Sequence, residues 1–282
     1  MIEGLFTKEI FHFTQPIDYS IAEQLLQLPK LRVIQFHETK PDEVTLNILN
    51  EVVFKKRQDI TLRVYGYKDK WADISFLHFL PNVERFSWNT AVFGSVEPLY
   101  KLKKLVHLGL GFRQPKKISL KFGLDFKDTL ESIDLIGDYK DITTTVSELK
   151  NLRTIGFTST KLKGFDFLQD IPIESFANYG GRVKEFKFLQ NIHSLRKLFI
   201  KTNSKIDSID FIEQLPNLEE INLQYISKVV RFPKCDHLVN LRRLYAFQCN
   251  RLEDISEVKK LKNCDIYIVG NSLPNRHYIK NI

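Results

Sequence analysis

The chain is poor in the features that hold small secreted domains together. Three cysteines, Cys235, Cys249 and Cys264, in 282 residues do not make a disulfide framework, so a reducing, cytoplasmic setting is expected. No run of about eighteen apolar residues occurs, which excludes a helical membrane span. The opening MIEGLFTKEIFHF places Glu3 and Lys8 inside any would-be apolar segment, so no secretory signal is read there. Signatures of chemistry are missing as well: there is no G-x-x-x-x-G-K-[ST], no H-E-x-x-H and no G-x-S-x-G. The histidines are scattered, and no two share metal-ligand spacing on one element. No catalytic residue, metal or cofactor is expected, and an enzyme is disfavoured. No Gly/Ser-rich linker or charge block divides the chain, so one domain is expected over 1–282.

What the sequence does contain is a globular composition, 43% hydrophobic and 27% charged, and a repeat. Segments such as LKKLVHLGL (102–110), LKNLRTIGF (149–157), LPNLEEINL (215–223) and LVNLRRLYA (238–246) share the pattern Φ-x-x-Φ-x-x-Φ-x-Φ, with Φ apolar. The terminal Φ-x-Φ pair recurs from Ile34/Phe36 to Ile266/Ile268 in eleven copies, at steps of 21 to 28 residues. A period of two marks a strand with one face buried. One such unit cannot bury its face alone, so neighbours must stack.

The pattern resembles the leucine-rich repeat, L-x-x-L-x-L-x-x-N/C-x-L, in its short, internalin-like form of about 22 residues. The resemblance implies an α/β solenoid, a horseshoe with a parallel concave sheet and short helical or 3₁₀ segments on the convex side. About eleven repeats span 25–271, with a cap at 1–24 and a C-terminal tail at 272–282. The ninth position of each core should hydrogen-bond the turn. Thr39, Asp138, Thr160, Asn203, Cys249 and Asn271 can do so, whereas Tyr67, Ala91, Arg113, Gly181 and Ile226 depart from the pattern. The insertion EVTLNILNEVVFKKR (43–57) is long enough for a helix. The Gly180–Gly181 pair after a strand reads as a turn needing positive φ, and the three cysteines read as buried structural thiols.

In this family partners bind the concave face, whose residues follow from the alternation. The middle of that face is small: Gly109, Gly111, Gly156, Thr158 and Ala177. The last four strands are bulky, with Phe199, Tyr245, Phe247 and Tyr267 beside Lys197, Lys201, Asn222, Gln224 and Arg243. Aromatic residues with arginine at the edge have the composition of an interaction hot spot. These nine residues form the expected partner-binding set. The formal charge is +8, but five basic and three acidic residues on the concave face nearly balance, and Lys-rich stretches such as 100–105, 113–121 and 257–263 fall on turns or the convex side. Nucleic acid is therefore disfavoured. The expected function is that of a bacterial, cytoplasmic, non-catalytic module binding a protein partner, as a monomer. An immunity-type inhibitor of a toxin or enzyme, or a secreted host-directed effector, is the alternative.

Overall fold

The computed structural model describes residues 6–7, 9–66 and 71–281; Tyr67, one of the departing turn positions, lies outside them. The chain divides into two units, residues 1–133 with 139–141 and residues 134–138 with 142–282. The first contains β1 (Phe6–Thr7), β2 (Ile10–Phe13), β3 (Val33–Phe36), β4 (Thr61–Gly66), β5 (Arg85–Thr90) and β6 (His107–Phe112). β7 (Ser132–Ile136) spans the division. The second contains β8 (Thr154–Thr158), β9 (Ser175–Tyr179), β10 (Lys197–Lys201), β11 (Glu220–Gln224), β12 (Arg243–Phe247), β13 (Asp265–Val269) and β14 (His277–Lys280).

Within each unit, strands adjacent in sequence pair side by side. From β2 to β6 and from β8 to β13 every pairing is parallel. All eleven Φ-x-Φ pairs fall on strands, and each of those residues is at most 2% exposed. The register is the one the repeat demands: Leu198 pairs with Ile221, Ile221 with Leu244 and Leu244 with Ile266. A one-residue slip would turn every one of these apolar side chains to the other face. The outermost strands are antiparallel: β1 pairs with β2, and β14 with β13. Each covers a sheet edge that would otherwise present a free row of backbone groups. β2 lies within the segment read as a cap, yet runs parallel to β3.

The return paths are short, as the period requires. Most are 3₁₀ turns, including Ser75–Phe79 and Glu97–Lys101 in the first unit and Lys187–Asn191 and Asp210–Gln214 in the second. The long insertion does fold as a helix, α2 (Glu43–Ile48), after α1 (Tyr19–Leu26), and runs on as a π-helical stretch over Leu49–Phe54. Asp18 and Asp42 cap α1 and α2, accepting from the Ile21 and Thr45 backbone N–H groups at 2.8 and 2.7 Å. Phenylalanine fills the core of the second unit between sheet and return paths. Phe157, Phe165, Phe176 and Phe186 are at most 1% exposed, with Phe157 and Phe165 4.7 Å apart between centroids. In the first unit the two indoles do the same and satisfy their N–H groups on backbone carbonyls: Trp71 on His37 and Trp88 on Trp71.

From β7 to β13 the residue that ends each strand is followed by one in the left-handed region: Gly137, Ser159, Gly180, Thr202, Tyr225, Gln248 and Gly270, with φ between 53° and 87°. The first six donate their N–H to the strand-end carbonyl of the following repeat, at 2.6 to 2.8 Å. The sheet ladder thus continues one residue past the strands. The left-handed step also swings the chain inward, so that the next side chain enters the core. That next residue is the ninth position of the repeat, and Thr160, Asn203, Cys249 and Asn271 are all buried there. Asn203 donates to the Val183 carbonyl and accepts from the Lys205 N–H, both at 2.9 Å. Cys249 sits 3.7 Å from the Leu223 carbonyl. Ile226, also buried, meets the position with an apolar side chain.

The glycine pair divides into two roles. Gly180 takes the left-handed step, with φ of 68°. Gly181 does not; a Cβ there would collide with the amide of Asn178, which points inward from β9 at a position that is otherwise apolar. The expectation that both glycines serve positive φ is corrected accordingly.

Two outcomes follow for stability. Leu198→Ala and Leu244→Ala, both at residues with no exposed surface, should each cost about 2–5 kcal/mol in denaturant titration; a near-neutral result would contradict the register. Thr202→Gly should instead stabilise by about 1 kcal/mol, because a β-branched residue pays for its left-handed φ of 56°. An unchanged melting midpoint would refute that.

Candidate binding face and its cleft

The nine residues proposed from sequence all lie on β10–β13, on the side opposite the core, and the register sorts them into rows. The first row is Lys197, Glu220, Arg243, Asp265; the second is Phe199, Asn222, Tyr245, Tyr267; the third is Lys201, Gln224, Phe247, Val269. Such cross-strand neighbours stand close enough to interact directly.

The rows differ in character. The first alternates in sign, so it neutralises itself: Arg243 Nη1 lies 3.6 Å from Glu220 Oε1. Lys197 and Arg243 therefore belong to a self-paired charge row, which limits what they offer a partner. The second and third rows carry the rings. Tyr245 and Phe247 stack at 6.3 Å between centroids, and Phe247 meets Tyr225 edge-on at 5.5 Å. The proposed aromatics are half-buried, and ring neighbours cover part of Tyr245 and Phe247.

Two aromatic residues were missed in the sequence-based set. Tyr225 occupies the left-handed turn position and is 45% exposed; Tyr179 ends β9 and is 37% exposed. The signal for Tyr179 was present, since it sits in the third outward row beside Lys201. Tyr225 lies one residue past the alternation, and only the turn geometry returns it to the face.

At the carboxyl ends of β8–β11 the face deepens into a cleft of about 570 Å³ lined by Thr158, Tyr179, Phe199, Lys201, Thr202 and Asn222, among others. Gln224 Nε2 donates to Asn222 Oδ1 at 3.0 Å. Lys201 Nζ lies over the Tyr225 ring, 6.0 Å from its centroid. Burial, and secondarily the charge of Asp134, pushes the Tyr179 phenol above its ordinary pKa, so it is a neutral hydroxyl at pH 7.

The first unit presents a different face. Gln35 links its neighbours, donating to His12 Nδ1 at 3.2 Å and accepting from Arg63 Nε at 2.6 Å. Arg63 in turn lies 5.6 Å from the Tyr65 centroid. Further along, β6 has all six residues buried. His107 is 8% exposed and hydrogen-bonded to Ser132 Oγ at 2.9 Å. Burial, and next the charge of Arg85, lowers its pKa to about 4. The small residues seen in the sequence have a steric reason. A Cβ on Gly109 would meet Ser87 Oγ at 2.8 Å; in the second unit, one on Gly156 would collide with the Asp134 carboxylate lying across it.

All three cysteines are free and buried. Burial is the leading cause that pushes their thiols up, Cys235 to about 12 and Cys249 and Cys264 to about 11, so none is a thiolate near neutrality. Among the described residues no group of histidine, cysteine and acidic side chains is placed to hold a metal. No described helix is long and apolar enough to cross a membrane.

Comparison with solved structures agrees with this geometry. The chain superposes on an internalin, InlF, of Listeria monocytogenes with a TM-score of 0.50 at 16% identity, over 92% of this chain and 77% of that one. A leucine-rich-repeat protein of Leptospira interrogans gives 0.52 at 17% identity, over 92% and 71%. The fold is an internalin-like leucine-rich repeat. No protein-family model matches the sequence, and no curated protein does. At these identities the likeness concerns the repeat architecture.

His107 gives the first unit a readable pH dependence. The unfolded chain binds a proton near pH 6.5 and the folded one only near 4, so protons favour the unfolded state between those values. Stability should fall as pH drops through that window, by up to about 3 kcal/mol from this group. His107→Asn should flatten that part of the profile in urea titrations at pH 7 and pH 5; an unchanged slope would show that His107 is not responsible.

Proposed function

We propose that the chain is a single-domain, non-catalytic binding module whose β10–β13 face grips one protein partner. One observation carries this reading. Phe199, Tyr245, Phe247 and Tyr267, with Tyr179 and Tyr225 beside them, gather on the outward side of adjacent strands and flank a cleft, whereas β6 is closed over. Aromatic residues are the usual anchors of protein interfaces, and leucine-rich-repeat folds are generally used for protein interaction. A sheet whose register is fixed by its core loses little freedom on association, which favours affinity.

The chemistry of the face argues for binding over catalysis. Its second and third rows carry amides, rings and a single lysine, with a phenol at Tyr179 raised above its ordinary pKa, and the acids of its first row stand opposite lysine and arginine. It also argues against nucleic acid, because the basic residues of its first row are matched by acidic ones and a phosphate track needs unmatched ones. We place the module in a bacterial cytoplasm, acting by masking or positioning its partner.

Phe199→Ala combined with Tyr245→Ala should abolish capture of a stoichiometric partner from source lysate at moderate salt. Stability should change by no more than about 1 kcal/mol. Undiminished capture would move the interface elsewhere; a collapse in stability would show that these rings serve the core.

A further inference from the structure

We infer that the cleft over Lys201 is an acid-reading subsite that receives an aspartate or glutamate side chain carried on an extended segment of the protein partner. This rests on the binding reading above and specifies what the partner must present. Lys201 is the one charged residue lining the cleft. Among the described residues it has no carboxylate partner; its ammonium is instead held over the Tyr225 ring. The first row of the face cancels its own charge through pairs such as Arg243 with Glu220, so nothing there neutralises Lys201.

The surroundings suit a carboxylate more than a neutral or basic group. Tyr179 and Phe199 wall the cleft with rings and lower the local polarity, which strengthens a charge pair formed inside it. The Asn222 side chain spends its oxygen on Gln224, leaving its amide nitrogen as a donor, and Thr202 adds a hydroxyl. A carboxylate can accept from several donors at once, and such charge-assisted bonds are the stronger kind. A single ammonium is a weak basis for nucleic acid, which requires a series of phosphate contacts. The cleft, about 570 Å³, has room for one acidic side chain and an apolar neighbour against the rings.

The test is selection from a random peptide library displayed on phage, panned on the full chain and on Lys201→Gln, Lys201→Glu and the Phe199→Ala/Tyr245→Ala pair, each first checked for an unchanged melting curve. Lys201 is exposed, so its variants should fold. The wild-type chain should enrich peptides with an Asp or Glu at one fixed position. A synthetic copy should bind Lys201→Gln about tenfold more weakly, the scale of one charge-assisted hydrogen bond, and Lys201→Glu should select Lys or Arg at that position. Peptides that ignore both Lys201 variants but are lost on the double alanine variant would overturn the acid-reading subsite and leave the binding face standing. Peptides that bind all variants equally would overturn both. A selection that enriches nothing on the wild-type chain would also count against the subsite.

Discussion

The candidate site depends on parallel register being carried from repeat to repeat without slip. Within the second unit two constraints act together to hold it. The apolar pair of each strand is fully buried, so sliding by one residue would expose a whole row of leucine and isoleucine. Beyond the strand, the left-handed residue donates its N–H to the next repeat's strand-end carbonyl. That bond fixes where the strand stops as well as where it pairs. Because of it, residues more than twenty positions apart in sequence, Phe199, Asn222, Tyr245 and Tyr267, stand in a straight row.

The same step explains how a face and a core are built from one turn. The left-handed residue is placed outward and the following one is driven inward. Where the outward residue is large, as at Tyr225, it adds surface to the binding face; where the inward one is polar, as at Asn203, it satisfies the backbone of the return path. The arrangement has a conformational cost, since Ser159, Thr202, Tyr225 and Gln248 all adopt a φ that side chains with a Cβ disfavour. Repetition of the hydrogen bond along the unit offsets it.

Electrostatics then separates parts of the face that composition alone would merge. Basic residues appear in both the first and third rows, but Lys197 and Arg243 in the first meet glutamate and aspartate across the strands. Lys201, two rows further on, meets rings and amides. A similar sorting operates in the first unit, where Gln35 bridges His12 and Arg63, and where His107, nominally outward, is buried and neutral.

The sequence by itself determined the solenoid, the strands and the alternation. Each of these follows from local periodicity, and eleven copies make the period plain. It also determined which rows the nine proposed residues occupy, because an alternation of two leaves only one outward side. Tertiary structure decided what those residues do. Whether a lysine is cancelled, whether a histidine is covered, and whether a turn tyrosine returns to the face depend on neighbours some twenty residues away. It decided Gly181 as well: the Asn178 amide fills the space a Cβ there would need, a close approach of side chain to backbone within one repeat that no period encodes. The covering strand β14 and the parallel strand β2 were hidden for a related reason. β14 has a neighbour on one side only, and β2 sits between β3 and the antiparallel β1, so neither is flanked by repeat strands on both sides and their sequences are released from the pattern that identifies the rest.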